Sequence, residues 1–176
     1  VKVFESIGLY FSLMSKIFRS YKSWKVYAPM IPEQMYLLGI TSIPIVIATG
    51  LFSGMVTAVN GAHQIEGGIV PTWYIGNIVT QMVVLELGPM ITGLVMTGKI
   101  GATIAAEIGT MRVSEQIDAL ESLSFDPISF LILPRILAAT VMFPVLVVIA
   151  DCFGILGGLF AAMNAMDVSY IEFVRG

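Results

Sequence analysis

The chain has 176 residues, of which 57% are hydrophobic and only 12% charged. A water-soluble domain carries about 25% charged residues, so an ordinary soluble enzyme or binding module is excluded and a bilayer is the expected solvent. The net charge of -3 says little, because topology follows the placement of Lys and Arg; no nucleic-acid partner is expected.

The single cysteine, Cys152, rules out an internal disulfide and a C-x-x-C metal pair. At about 20 residues per crossing the length holds three or four membrane helices. The expected fold is therefore all-α and polytopic, one transmembrane domain over residues 1–176.

In residues 1–28, Phe4, Ile7, Phe11, Met14, Phe18 and Tyr21 recur every three or four positions, while Lys16, Arg19 and Lys25 fill other angles. This pattern predicts an amphipathic helix lying in the membrane interface. It lacks the short, uniformly apolar core of a signal peptide. Pro29 and Pro32 end it. From Gln34 to Gln64 no Asp, Glu, Lys or Arg occurs, which predicts a first span over 34–60, with a kink at Pro44. Gly50, Gly54, Ala58 and Ala62 form a small-residue stripe along which a second helix can approach closely. A polar, glycine-rich loop is expected at 60–68; His63 lies in it and receives no role.

Residues 69–111 are too long for one straight helix. They hold either two crossings or one that is interrupted, and the only interruption in sight is Gly88-Pro89. Five of the nine basic residues, Lys2, Lys16, Arg19, Lys22 and Lys25, precede the first span, which predicts a cytoplasmic N-terminus. A single net crossing returns Arg112 to that side, so one broken span is favoured. Gly93, Thr97, Gly101, Ala105 and Gly109 fall at four-residue intervals, a shallow face expected to meet protein and not lipid.

The stretch 113–126, "VSEQIDALESLSFD", is polar and helical in pattern. Val113, Ile117, Leu120 and Leu123 align on one side, with Glu115, Asp118 and Glu121 elsewhere. It reads either as a surface linker or as a helix that docks in the groove of a cytoplasmic partner. Asp126-Pro127 supplies an N-cap and a first-turn proline for a third span over 127–163, which contains Pro134 and Pro144.

Four charges sit in apolar surroundings: Glu86, Lys99, Glu107 and Asp151. Each costs about 2.5–3.5 kcal/mol at mid-membrane on insertion scales, so such groups face a cavity or a partner. Glu86 adjoins the Gly88-Pro89 break, where disturbed backbone is tolerated only beside protein or a cavity, a setting that suits the wall of a site for a polar-headed ligand. Lys99 and Glu107 lie two turns apart on one face, close enough to the cytoplasmic end to snorkel. Asp151 falls midway along the third span. For all four, simple pairing or hydrogen bonding across helices is the alternative, and both readings stand on the sequence.

The run "ELGPMITGLVMTGKIGATIAAEIGTMRVSEQIDALESLSFDP", followed by "ILPR", closely resembles the MlaE/YrbE permease family. The pattern is carried by Glu86-Leu87-Gly88-Pro89, Gly98-Lys99-Ile100-Gly101, Ala106-Glu107-Ile108-Gly109, Met111-Arg112, Ser114-Glu115-Gln116, Asp126-Pro127 and Pro134-Arg135. The resemblance implies the permease subunit of an ABC transporter that moves phospholipid between a bacterial inner membrane and an MCE-domain protein on the periplasmic side. It implies a homodimer paired with a cytoplasmic ABC ATPase. ATP and Mg²⁺ would sit on that partner, since no G-x-x-x-x-G-K-[ST] occurs here, and the chain itself is not expected to be an enzyme. The 113–126 helix becomes the coupling helix, with Arg112, Glu115, Gln116, Asp118 and Leu120 as its ATPase-facing residues. Glu86 and Leu87, with Met55, Val59 and Met90, become the border of a lipid cavity.

Two departures accompany the likeness. Many relatives carry an arginine immediately before E-L-G-P where this chain has Leu85, and relatives continue for two more spans, so a chain truncated relative to five spans is expected. Two rival functions remain: a secondary lipid transporter driven by ions, with Asp151 as the titrating group, and a membrane scaffold that anchors soluble partners. An intramembrane enzyme has no Ser/His or metal-ligand pairing to support it.

Overall fold

The computed structural model describes residues 28–65, 74–122, 127–165 and 168–175, together with Phe4, residues 7–9, Phe11, Ser12, Met14 and Ser15. Every element among the described residues is helical. A 3-10 turn, Ala28–Met30, leads into α1 (Ile31–Leu38); a second, Ile40–Ser42, leads into α2 (Ile43–Ile65). Helix α3 (Tyr74–Met82) passes through a π-turn, Val83–Leu87, into α4 (Gly88–Val113). Then come α5 (Gln116–Ser122), α6 (Pro127–Ala165) and α7 (Tyr170–Arg175). Three stretches are long and apolar enough to cross a membrane: Ala28–Ala62, Tyr74–Val113 and Phe130–Asn164.

The chain divides into two compact units, Val1–Thr41 with Ile100–Met142, and Ser42–Lys99 with Phe143–Gly176. In the second unit, α2 and α6 approach through small residues. A side chain at Gly54 would strike the backbone of Gly154, and one at Gly50 would come within 2.6 Å of the Ala150 carbonyl. Such close approach replaces the hydrophobic drive that lipid cannot supply between helices. Val79 and Val83 of the second span fill the core beside Ala58 and Ala162, and α7 seats Phe173 into the same cluster. Ser169 and Glu172 cap α7 reciprocally: the Ser169 N–H donates to Glu172 Oε2 at 3.0 Å, and the Glu172 N–H donates to Ser169 Oγ at 3.3 Å. The first unit is built around Leu133, with Met14, Phe130 and Leu137 packed on it.

The second span is one helical run, and its interruption takes a mild form. The π-turn precedes Gly88-Pro89, the Gly88 N–H donates to the Val83 carbonyl, and helical bonding continues. The first span is interrupted by the 3-10 turn Ile40–Ser42 just before Pro44. Pro44 is the second residue of α2, where its missing N–H would have had no helical partner anyway. No loop begins at residue 60, because α2 continues to Ile65. The helix expected over 113–126 is also divided: α4 runs through Val113, Ser114 and Glu115 turn, and only Gln116–Ser122 follow as helix. Val113 consequently stands exposed and apart from Ile117 and Leu120, which are half-buried.

Most of the interfacial helix expected over 1–28 lies outside the described residues; the positions that are described there are helical, with Phe4, Ile7 and Leu9 exposed. Also outside them are residues 66–68 of the expected loop, the His63 side chain, Leu123, and Asp126 with its N-cap.

Candidate functional site

One face of α2 repeats small polar and apolar residues at helical spacing: Thr49, Phe52, Ser53, Val56, Thr57 and Asn60. Opposite stand Met82 and Leu87 at the two ends of the π-turn, and Ile91 one turn on. Together they line a groove of about 730 Å³ in the second unit, within the roughly 300–1,000 Å³ range of small-molecule sites. Its polarity is low, because two of its hydroxyls are already used by their own helix. Thr49 Oγ1 donates to the Ile45 carbonyl at 2.9 Å and Thr57 Oγ1 to the Ser53 carbonyl at 2.8 Å. Ser53 Oγ is buried and has no partner among the described residues. An apolar trough with one spare hydroxyl suits a hydrocarbon chain that carries a polar end.

The π-turn sets the groove's second wall. Each such turn holds an extra residue and rotates the downstream helix relative to an unbroken α-helix. Val83 faces the core, Leu87 reaches the groove, and Leu85 and Glu86 are exposed. Immediately after the turn, Asp151 Oδ1 of α6 occupies the position where a Gly88 side chain would stand. Only glycine fits there. That oxygen is buried without a hydrogen-bond partner among the described residues.

The expected cavity residues are distributed unequally. Leu87 lines the groove; Met55 and Val59 line a smaller hollow of about 220 Å³ that shares Val56 and Asn60 with it. Glu86 and Met90 are exposed and outside the groove's lining. Thr49, Phe52, Ser53, Thr57, Met82 and Ile91 are additions that the sequence reading does not contain. The four-residue interval of Thr49, Ser53 and Thr57 was the available signal, a polar stripe on an otherwise apolar span.

Lys99 and Glu107 do not pair with one another. Lys99 is half-buried and its Nζ donates to Ser42 Oγ at 2.9 Å. Glu107 holds Arg135 of α6, with Oε2 and Nη2 separated by 2.7 Å. Around the α4–α5 corner, Arg112, Glu115, Gln116 and Asp118 are exposed and Leu120 is half-buried. Ser114 closes the corner by donating through both N–H and Oγ to the Thr110 carbonyl, at 3.0 and 2.9 Å. Glu115 takes the left-handed conformation, φ 57°, and its carbonyl accepts from the Ala119 N–H at 3.1 Å to start α5. Among the described residues no cluster of three or more His, Cys, Asp or Glu is placed to hold a metal.

Three apolar helical stretches, with a groove between residues of the first two, mark a multi-pass membrane protein. The family model for the permease MlaE matches residues 31–176, and the chain belongs to that family. It is 39% identical over 168 residues to a probable ABC transporter permease protein of Rickettsia prowazekii, covering 95% of this chain and 64% of that one. It is 38% identical over 144 residues to a probable ABC transporter permease protein of a Synechocystis strain, covering 81% and 54%. The intermembrane phospholipid transport system permease protein MlaE of Haemophilus influenzae is 36% identical over 130 residues, covering 74% and 49%. The chain thus spans less than two thirds of the length of these relatives.

Proposed function

We propose that this chain is the membrane subunit of an ATP-driven phospholipid transporter, and that the groove beside the π-turn receives a lipid acyl chain. The observation that carries this reading is the groove itself: about 730 Å³, mostly apolar, opening beside a helix irregularity in a chain of the MlaE permease family. In this reading the chain hydrolyses no ATP. A cytoplasmic ABC ATPase grips α5, whose exposed Asp118 and neighbouring Arg112 and Glu115 offer charge and whose exposed Gln116 offers a hydrogen-bonding amide, while Ile117 and Leu120 hold it to its own unit. Two copies of the chain enclose the lipid, the N-terminus is cytoplasmic, the membrane is a bacterial inner membrane, and an MCE-domain protein exchanges lipid on the far side. The names of the relatives support the ATPase partner and the phospholipid. The second copy, the MCE partner and the inner membrane rest on the sequence motif, and the cytoplasmic N-terminus on the basic residues before the first span.

Val56→Trp tests the groove. It fills the trough from an exposed position on α2, and is expected to reduce co-purified phospholipid and ATP-dependent lipid transfer at least tenfold while the complex with its ATPase still assembles. Unchanged bound lipid would sink the assignment. One observation favours a second reading, a lipid transporter driven by ions: the unpartnered Asp151 oxygen at the π-turn. Lipid transfer by the chain reconstituted without any ATPase, and abolished by Asp151→Asn, would select it.

A further inference from the structure

Arg135 is 3% exposed, yet it holds Glu107 through a single guanidinium nitrogen, Nη2, and leaves Nη1 with no acceptor among the described residues. As an adhesive this arrangement is poor. Removing water from the guanidinium costs about as much as its attraction to a carboxylate that is itself 35% exposed returns, and apolar side chains of similar bulk hold helices together as well or better. What apolar side chains do not supply is a directional bond of defined length, which a charge-assisted Arg–carboxylate contact does. Glu107 also lines a hollow of about 710 Å³ with Met111 and Gln116, and Gln116 is the first residue of α5. The carboxylate therefore stands between the root of α5 on one side and the buried guanidinium of α6 on the other.

We infer that Glu107 and Arg135 are positioning residues for transport: their bond makes α6 follow α4 when α5 is displaced, in place of letting the two helices slide. The free Nη1 gives the link a second setting, since a small shift that brings Oε1 onto Nη1 turns the single contact into a two-bond fork without breaking the first. This inference rests on the reading of the chain as an ATPase-driven permease.

The test uses the full permease with its co-purified ATPase in vesicles of phosphatidylethanolamine and phosphatidylglycerol containing tail-labelled phosphatidylglycerol. Glu107→Met combined with Arg135→Met is expected to keep the wild-type melting temperature and hydrolyse ATP within twofold of wild type. It should transfer at least tenfold less label per ATP. The charge exchange Glu107→Arg with Arg135→Glu is expected to recover transfer per ATP to within threefold of wild type. Wild-type transfer per ATP in the apolar double variant would overturn the inference. So would loss of the folded protein in that variant, because the pair would then hold the fold, and so would an exchange variant no better than the apolar one. Failure of the functional reading is told apart by the wild type itself, whose transfer would then be indifferent to ATP.

Discussion

Two rows of small residues at the same four-residue spacing meet opposite fates. In α2, Gly50 and Gly54 lie under the backbone of α6, and Ala58 is wholly buried. In α4, a side chain at Gly93 would meet, among the described residues, only the ring of Phe143, and one at Gly101 or Gly109 would find none of them within 4 Å. Thr97 and Ala105, in the same row, are exposed. The spacing of the α4 row predicts a face turned to protein, and among the described residues Gly101 and Gly109 do not meet one. A stripe of small residues records how near another surface can come; it does not say whether that surface belongs to the same chain.

The largest effect should come from the covered row. Gly54→Leu drives a side chain into the Gly154 backbone and is expected to destabilise the chain by about 3 kcal/mol, the upper part of the overpacking range, read as a lowered midpoint of unfolding in detergent. Wild-type stability would mean that α2 and α6 are not in contact. Next is Gly88→Ala, whose methyl group takes the place of Asp151 Oδ1. A loss of about 2 kcal/mol is expected, and Asp151→Ala should restore at least half of it, since residues in contact do not act additively. Full additivity in that double-mutant cycle would separate the two groups.

The smallest effect belongs to the open row. Gly101→Leu should leave the unfolding midpoint of the isolated chain within about 0.5 kcal/mol of wild type, as for positions away from packed features. The same substitution sharpens the comparison in the proposed homodimer. If a second copy covers this row, the monomer fraction should rise at equal protein concentration in native mass spectrometry or crosslinking.

Much of the architecture was legible because composition and periodicity act locally. Apolar runs marked the spans, and the choice of one interrupted helix over two separate crossings for 69–111 agrees with the single helical stretch Tyr74–Val113. The motif around Glu86–Pro89 marked a place where the helix departs from α geometry, since the π-turn ends on its first two residues. Other details were out of reach for local reasons. Pro44 gave no sign that it would open a new helix after a 3-10 turn, and the turn at Ser114–Glu115 depends on a left-handed residue that is not glycine. The groove was only partly visible, since Leu87 was marked by its motif while Thr49, Ser53 and Thr57 carry no chemistry distinctive enough to choose them over other membrane hydroxyls.

Sequence alone determined that this protein crosses a membrane by apolar helices, that its second span is irregular near Gly88, and that it belongs with the MlaE permeases. Each of these depends on residues close together in the chain. Tertiary structure alone decided that Glu107 takes Arg135, that Lys99 takes Ser42, that Asp151 presses on Gly88, and which small-residue row is covered. The reason is geometric: periodicity gives the angle at which a side chain leaves its helix, but what it meets there depends on how distant segments pack.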